Sequence, residues 1–133
     1  MRAFAFILAL SVATLLGGGP ASAQEGHPLK GSWLGTWAGN KIHGNDVVMV
    51  LNWDGKNITG MINPGTDNIA IKTATLNPDG WVVHFEADAK DKSGAALTYV
   101  IDGKIENLAL PNRSVTGTWR NQNEKGAFKI SRQ

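Results

Sequence analysis

From residue 31 onward, apolar and polar residues alternate with a period of two, in short runs separated by turn residues, and no stretch holds a helical period. The alternation predicts eight strands, at residues 32–38, 46–53, 57–62, 68–76, 81–89, 95–107, 114–120 and 126–132. In the second run Val47, Met49, Leu51 and Trp53 share one face, with Asp46 and Asn52 on the other. In the fifth, Trp81, Val83, Phe85 and Ala87 oppose His84, Glu86 and Asp88. Between runs stand strong turn signals: Asp54-Gly55, Asn63-Pro64-Gly65 and Asn77-Pro78-Asp79-Gly80.

Asp102-Gly103 poses a choice, because the pair could close another hairpin. Leu97, Tyr99, Ile101, Gly103 and Ile105 keep one face straight through the glycine, while Thr98, Val100, Asp102, Lys104 and Glu106 keep the other. A turn has no need to preserve that phase, so one long strand bent at Gly103 is expected. Eight strands with short connections predict an all-β, antiparallel up-and-down meander in one domain. Such a meander either closes into a barrel, which removes its sticky edges, or stays open as a two-sheet sandwich; closure is the expectation.

Residues before the first strand read differently. Arg2 precedes an almost unbroken apolar run at residues 3–16, and Ala21-Ser22-Ala23 supplies small residues at a cleavage-type site. This is the pattern of a secretory signal peptide over residues 1–23, with the β domain at 24–133. The alternative, a retained anchor, needs about 20 apolar residues where this run has about 14. A secreted or periplasmic protein is expected, with no membrane insertion after cleavage.

The 133 residues contain no Cys, which removes disulfides, thiolate catalysis and Cys-ligated zinc. Thirteen Lys and Arg against eleven Asp and Glu give a net charge of +2, and the basic residues are scattered among acids. A nucleic-acid footprint would cluster on one face, so no nucleic-acid partner is expected.

Three Gly-x-Trp units occur: Gly31-Ser32-Trp33, Gly35-Thr36-Trp37 and Gly117-Thr118-Trp119. In these units the chain resembles the calycin group, the lipocalins and avidins. The resemblance implies an indole from the first strand lying across the closed end of a barrel, with a basic residue of the last strand packed over it. Arg132, in phase with Phe128 and Ile130, stands where that residue would be. An arginine there can stack on an indole and bond backbone carbonyls. Lipocalin disulfides and the biotin-contact pattern of avidins are not evident, so the resemblance carries no ligand.

Five Trp is a high count for a chain of this length. Trp33, Trp37, Trp53, Trp81 and Trp119 all sit in phase with apolar neighbours, and each taken alone reads as core. Near an open barrel mouth the same indoles could flank an apolar ligand or stack on a sugar, and Tyr99 would offer a polar handle. These six aromatics and Arg132 form the candidate binding set. Gly35, Gly60, Gly103 and Gly117 also fall on inward faces, where glycine lets a sheet coil or leaves room beside a large neighbour. Residues 57–62 weakly echo 114–119, which shared strand composition explains as well as duplication does.

His84-x-Glu86-x-Asp88 places three possible metal ligands on one strand face. Alternate residues stand about 6.5–7 Å apart, so two could reach one ion and three hardly could; a solvated face is expected and no metal site. His27 and His43 lie in polar, Gly-rich surroundings with no recruiting spacing. Nucleophile elbow, phosphate loop, zincin and dinucleotide fingerprints do not occur, and the acidic pair Asp88 and Asp91 is commonplace. No enzyme activity and no cofactor are expected. Two glycosylation sequons, Asn57-Ile58-Thr59 and Asn112-Arg113-Ser114, matter only in a glycosylating host.

The leading expectation is a monomeric exported barrel that binds a small, mostly apolar molecule between aromatic walls. Two alternatives stand beside it. One is a protein-interaction module, such as a secreted protease inhibitor using residues 24–30 as an arm, and the other is carbohydrate binding through exposed Trp.

Overall fold

The computed structural model describes residues 27–133. The leader expected at residues 1–23 lies outside them. Eight strands follow in order: β1 (Gly31–Trp37), β2 (Asp46–Trp53), β3 (Ile58–Ile62), β4 (Ile69–Asn77), β5 (Val82–Lys90), β6 (Ala96–Glu106), β7 (Ser114–Arg120) and β8 (Lys125–Arg132). Each pairs antiparallel with its sequence neighbours, and β1 closes on β8 from Trp33 opposite Arg132 to Trp37 opposite Phe128. The fold is thus a closed up-and-down barrel with an internal aromatic cluster, calycin-like in general form, and not an open sandwich.

Turn chemistry sets the register of the hairpins. The backbone N–H groups of Lys56 and Asn57 donate to Asp54 Oδ1 at 2.8 and 2.6 Å, and Asn77 Oδ1 accepts from Asp79 N at 2.9 Å. Asp91 and Asn121 close the β5–β6 and β7–β8 turns in the same manner. A short side chain bonding backbone two to four residues ahead competes well with strand pairing, so β2, β4, β5 and β7 end where such a residue stands.

The inward set includes Trp33 and Trp37 of β1, Met49 and Leu51 of β2, Val83 and Phe85 of β5, Tyr99 and Ile101 of β6, Trp119 of β7 and Ile130 of β8, all essentially fully buried. Strands must coil tightly to enclose so small a core, and β6 and β7 do so at Gly103, which faces Gly117. A Cβ at Gly117 would lie 2.0 Å from the Asp102 carbonyl oxygen and 2.5 Å from Gly103 Cα, a separation only glycine permits. β6 runs unbroken through Gly103, as its phase predicted.

One stretch of wall is irregular. In β4 the register shifts between Ile71 and Thr73, the mark of a β-bulge, so Ile69 and Ile71 face inward before it, and Ala74 and Leu76 after it. Pairing between β3 and β4 covers only Met61 with Ala70 and Ile62 with Ile69. Beyond those pairs the two strands part toward the barrel end that holds Trp33.

Candidate functional site

The two ends of the barrel are built differently. At the Trp37 end, Trp37, Tyr99 and Trp119 meet with ring centroids 5.2–5.7 Å apart, two of the three contacts stacked. Trp119 Nε1 donates to the Ala38 carbonyl at 3.1 Å, and Asn40 Nδ2 donates to the Tyr99 hydroxyl at 3.2 Å. Asn40 is itself buried, because its Oδ1 accepts from the backbone of Ile42 and His43 and so folds the β1–β2 loop over the rings. Burial raises the Tyr99 pKa above its ordinary value, keeping the phenol neutral. Three members of the candidate set thus come together here as one packed cluster.

At the opposite end the chain plugs its own barrel. Leu29 is fully buried, and Trp33 Nε1 donates to its carbonyl at 2.8 Å. Arg132 Nε donates to the Lys30 carbonyl at 2.8 Å, and an Arg113 guanidinium N–H donates to the Pro28 carbonyl at 3.0 Å. Burial, with the Arg132 charge nearby, holds the Arg113 pKa below its ordinary value. Residues 27–30 therefore form a strap tied down by two arginines and an indole, where the sequence suggested a free arm. Arg132 stands opposite Trp33 in register and bonds a backbone carbonyl.

Beside this strap, where β3 and β4 part, a surface cleft of about 660 Å³ opens. Trp53 and Trp81 line it with Ile58, Ala74 and Leu76, and His27, Lys56, Asn57 and Thr75 supply its polar atoms. The cleft follows from the irregular wall: the bulge turns Ala74 and Leu76 toward it, and the short β3 leaves Ile58 facing the gap. Trp53 is half-buried at the end of β2, and the His27 ring lies over it at 5.0 Å. Burial lowers the His27 pKa, so the imidazole is neutral at pH 7.

Trp81 is held in an unusual backbone conformation. It lies in the left-handed region with φ 55°, a position shared by Asn63 and Asn107, whose short side chains tolerate it far better than an indole does. Its carbonyl accepts from Ile105 N at 2.9 Å and its N–H donates to Pro78 O at 3.4 Å, which fixes the conformation from both sides. Strained residues of this kind concentrate at functional positions.

The candidate set therefore divides into Trp37, Tyr99 and Trp119 at one end, Trp33 with Arg132 beneath the strap, and Trp53 with Trp81 on the cleft. Sequence reasoning placed His27, Pro28 and Leu29 in an arm for a partner and missed Arg113, and the importance of all four lies in contacts across the end of the barrel. Nothing in the strand period points to them.

Two further clusters carry charge. On the outer wall His84 Nδ1 meets Asp102 Oδ1 at 2.5 Å and its Nε2 meets Glu86 Oε2 at 2.9 Å, while Asp88 pairs with Lys72 at 3.7 Å. Hydrogen bonds to Asp102 and then to Glu86 raise the His84 pKa, and the bond to His84 lowers that of Glu86. Below the β1–β2 loop, His43 Nδ1 is engaged by Asp67. The outer wall also bears an apolar stripe: Leu34, 45% exposed, stands opposite Val48, and Met61, 38% exposed, stands opposite Val50. Compared with protein-family models, with curated proteins and with solved structures, the chain shows no match, so the functional reading rests on the barrel and its residues.

Proposed function

We propose that the protein is an exported binding protein for a small, mostly apolar molecule, held in the cleft between Trp53 and Trp81 against the 27–30 strap. One observation carries this reading: a cleft of about 660 Å³ with two partly buried indoles on its walls. Ligand sites span roughly 300–1,000 Å³ and combine apolar walls with a few polar groups, and this lining has that composition. Trp33, Trp37 and Trp119 are buried by protein, whereas Trp53 and Trp81 keep surface that a ligand could cover. The titratable side chains among the described lining residues are His27 and Lys56, a set suited to orienting a ligand and supporting a role in binding. Export is part of the proposal and rests on the leader pattern of residues 1–23. Amino-terminal sequencing of protein recovered outside the cytoplasm tests it, with a start near Gln24 expected.

The binding reading is tested by following Trp emission while alkyl carboxylates, planar aromatics and short oligosaccharides are added separately. Saturable quenching by an alkyl or aromatic compound, weakened in Trp53→Ala, is expected. Saturation by oligosaccharides alone would shift the assignment to carbohydrate, and no saturation in any arm would overturn the proposal.

A second reading is favoured by the Leu34, Val48, Val50 and Met61 stripe, whose contiguity across β1–β3 suits a protein surface. Replacing Leu34 and Met61 with Lys would then abolish co-purification of a partner while leaving small-molecule quenching intact.

A further inference from the structure

The cleft beside the strap carries a positive charge that nothing on its walls neutralises. Lys56 stands in the turn between β2 and β3, where the Asp54 N–H donates to the Asn57 carbonyl at 3.2 Å and Asp54 Oδ1 accepts from the N–H groups of Lys56 and Asn57. Those bonds lower the Asp54 pKa and tie its carboxylate into the turn, outside the lining of the cleft. Among the described residues no carboxylate pairs with the Lys56 ammonium, and no Asp or Glu lines the cleft. At the same barrel end Arg113 and Arg132 bond the strap carbonyls of Pro28 and Lys30, and they too have no carboxylate partner among the described residues.

The other polar side chains of the lining are weighted toward donation. The Leu29 N–H donates to His27 Nδ1 at 3.2 Å, and because a backbone N–H can only donate, that nitrogen is the acceptor and the neutral ring carries its proton on Nε2. The indole N–H groups of Trp53 and Trp81 and the Lys56 ammonium also donate only, while Asn57 and Thr75 both donate and accept. A cation and several N–H donors set against two indoles, Ile58 and Leu76 are complementary to a molecule with an apolar body and one anionic head. A cationic ligand would meet Lys56 as a like charge. A wholly apolar one would strip water from the donors without replacing it.

We infer that the cleft selects amphipathic organic anions, with Lys56 holding the anionic head while the apolar body lies between Trp53 and Trp81. The inference rests on the cleft reading proposed above and adds to it the charge of the ligand and the residue that reads it. Lys56 is exposed, so its attraction for the head is modest and screened by salt. An ammonium is a point charge, so it reads the sign of the head more than its shape.

The test follows Trp emission of the folded chain during separate titrations with octanoate, octanol and octylamine at pH 7, each below its micelle-forming concentration. At that pH the three share a tail and differ in charge, being anionic, neutral and cationic. A cleft without a charge favours the alcohol, whose head loses less hydration than a carboxylate does, so the sign of the preference is diagnostic. Octanoate is expected to bind about threefold more tightly than octanol at low salt, with octylamine weakest, and added salt should narrow the gap. Lys56→Met keeps the apolar stem and removes the charge, so octanol should then bind at least as tightly as octanoate. Lys56→Arg keeps the charge and should keep the preference for octanoate. Octanol binding as tightly as octanoate to the parent, or a preference for octanoate that survives Lys56→Met, would overturn the inference and leave the cleft reading standing. Saturation by none of the three would overturn both.

Discussion

Trp81 allows the strain of the cleft to be separated from its stickiness. Its φ of 55° costs an L residue with a side chain about 1–2 kcal/mol relative to the right-handed region. Replacing Trp81 with Ala or with Gly removes the same indole, but only Gly relieves the backbone. Against that relief stands the greater chain entropy that Gly loses on folding, about 0.5–1 kcal/mol. The Gly variant should therefore be the more stable of the two by about 0.5–1 kcal/mol. Both should fall below the parent by about 2 kcal/mol, roughly half the cost of truncating a fully buried Trp. For a domain of this size that ordering separates the variants by about 2–4 °C in Tm, and urea denaturation gives the free energies. Covering the exposed part of the indole would contribute about 1.5 kcal/mol to an apolar ligand, the low end for burying a large apolar side chain, so both variants should bind about tenfold more weakly. An Ala variant at least as stable as the Gly variant would refute the strain argument. Undiminished affinity in both would remove Trp81 from the site.

Further outcomes follow from other contacts. Gly117→Ala places a methyl within 2.0 Å of the Asp102 carbonyl oxygen, so a loss of about 3 kcal/mol or failure to fold is expected by denaturant titration, whereas Gly117→Ser offers no rescue. Leu29→Ala should cost about 2–4 kcal/mol and speed hydrogen exchange at the Trp33 indole, which bonds the Leu29 carbonyl; unchanged exchange would mean that the strap does not plug the barrel. The His84 cluster has a defined pH window. A raised histidine pKa contributes stability fully below its ordinary 6.5 and loses it as pH rises through the folded value, while the lowered Glu86 pKa contributes above 4.5 and is lost in acid. The stability difference between parent and His84→Gln should thus peak between 4.5 and 6.5 and shrink on either side, and it should be small and salt-sensitive because His84 is one-third exposed. A difference that grows above 6.5 would contradict the pairing.

The strand grammar made most of the fold legible, because a barrel of short antiparallel strands writes its period directly into the chain. The unbroken phase of Leu97, Tyr99, Ile101, Gly103 and Ile105 already distinguished a bent strand from a hairpin, and β6 runs through the glycine. The β4 bulge was present as a signal too: apolar residues at Ile69 and Ile71, then at Ala74 and Leu76, change parity between the two pairs. Trp81 illustrates the limit. It keeps phase with Val83 and Phe85, yet the Asn77–Gly80 turn extends one residue further and leaves the indole in a left-handed position that period cannot reveal. The remaining site residues join across the barrel ends, as His27 joins Trp53, Asn40 joins Tyr99 and Arg113 joins Pro28. Alternation specifies which face a residue occupies and says nothing about which distant loop comes to meet it.

The proposed site is tested most directly by following the indole N–H resonances while the tightest quenching ligand is added. Five indoles report on separate places: Trp53 and Trp81 on the cleft, Trp33 beneath the strap, and Trp37 and Trp119 in the packed cluster. Binding in the cleft should move Trp53 and Trp81 together at one saturating concentration, leaving Trp37 and Trp119 in place. Movement confined to Trp37 and Trp119, or no movement with any ligand, would contradict it.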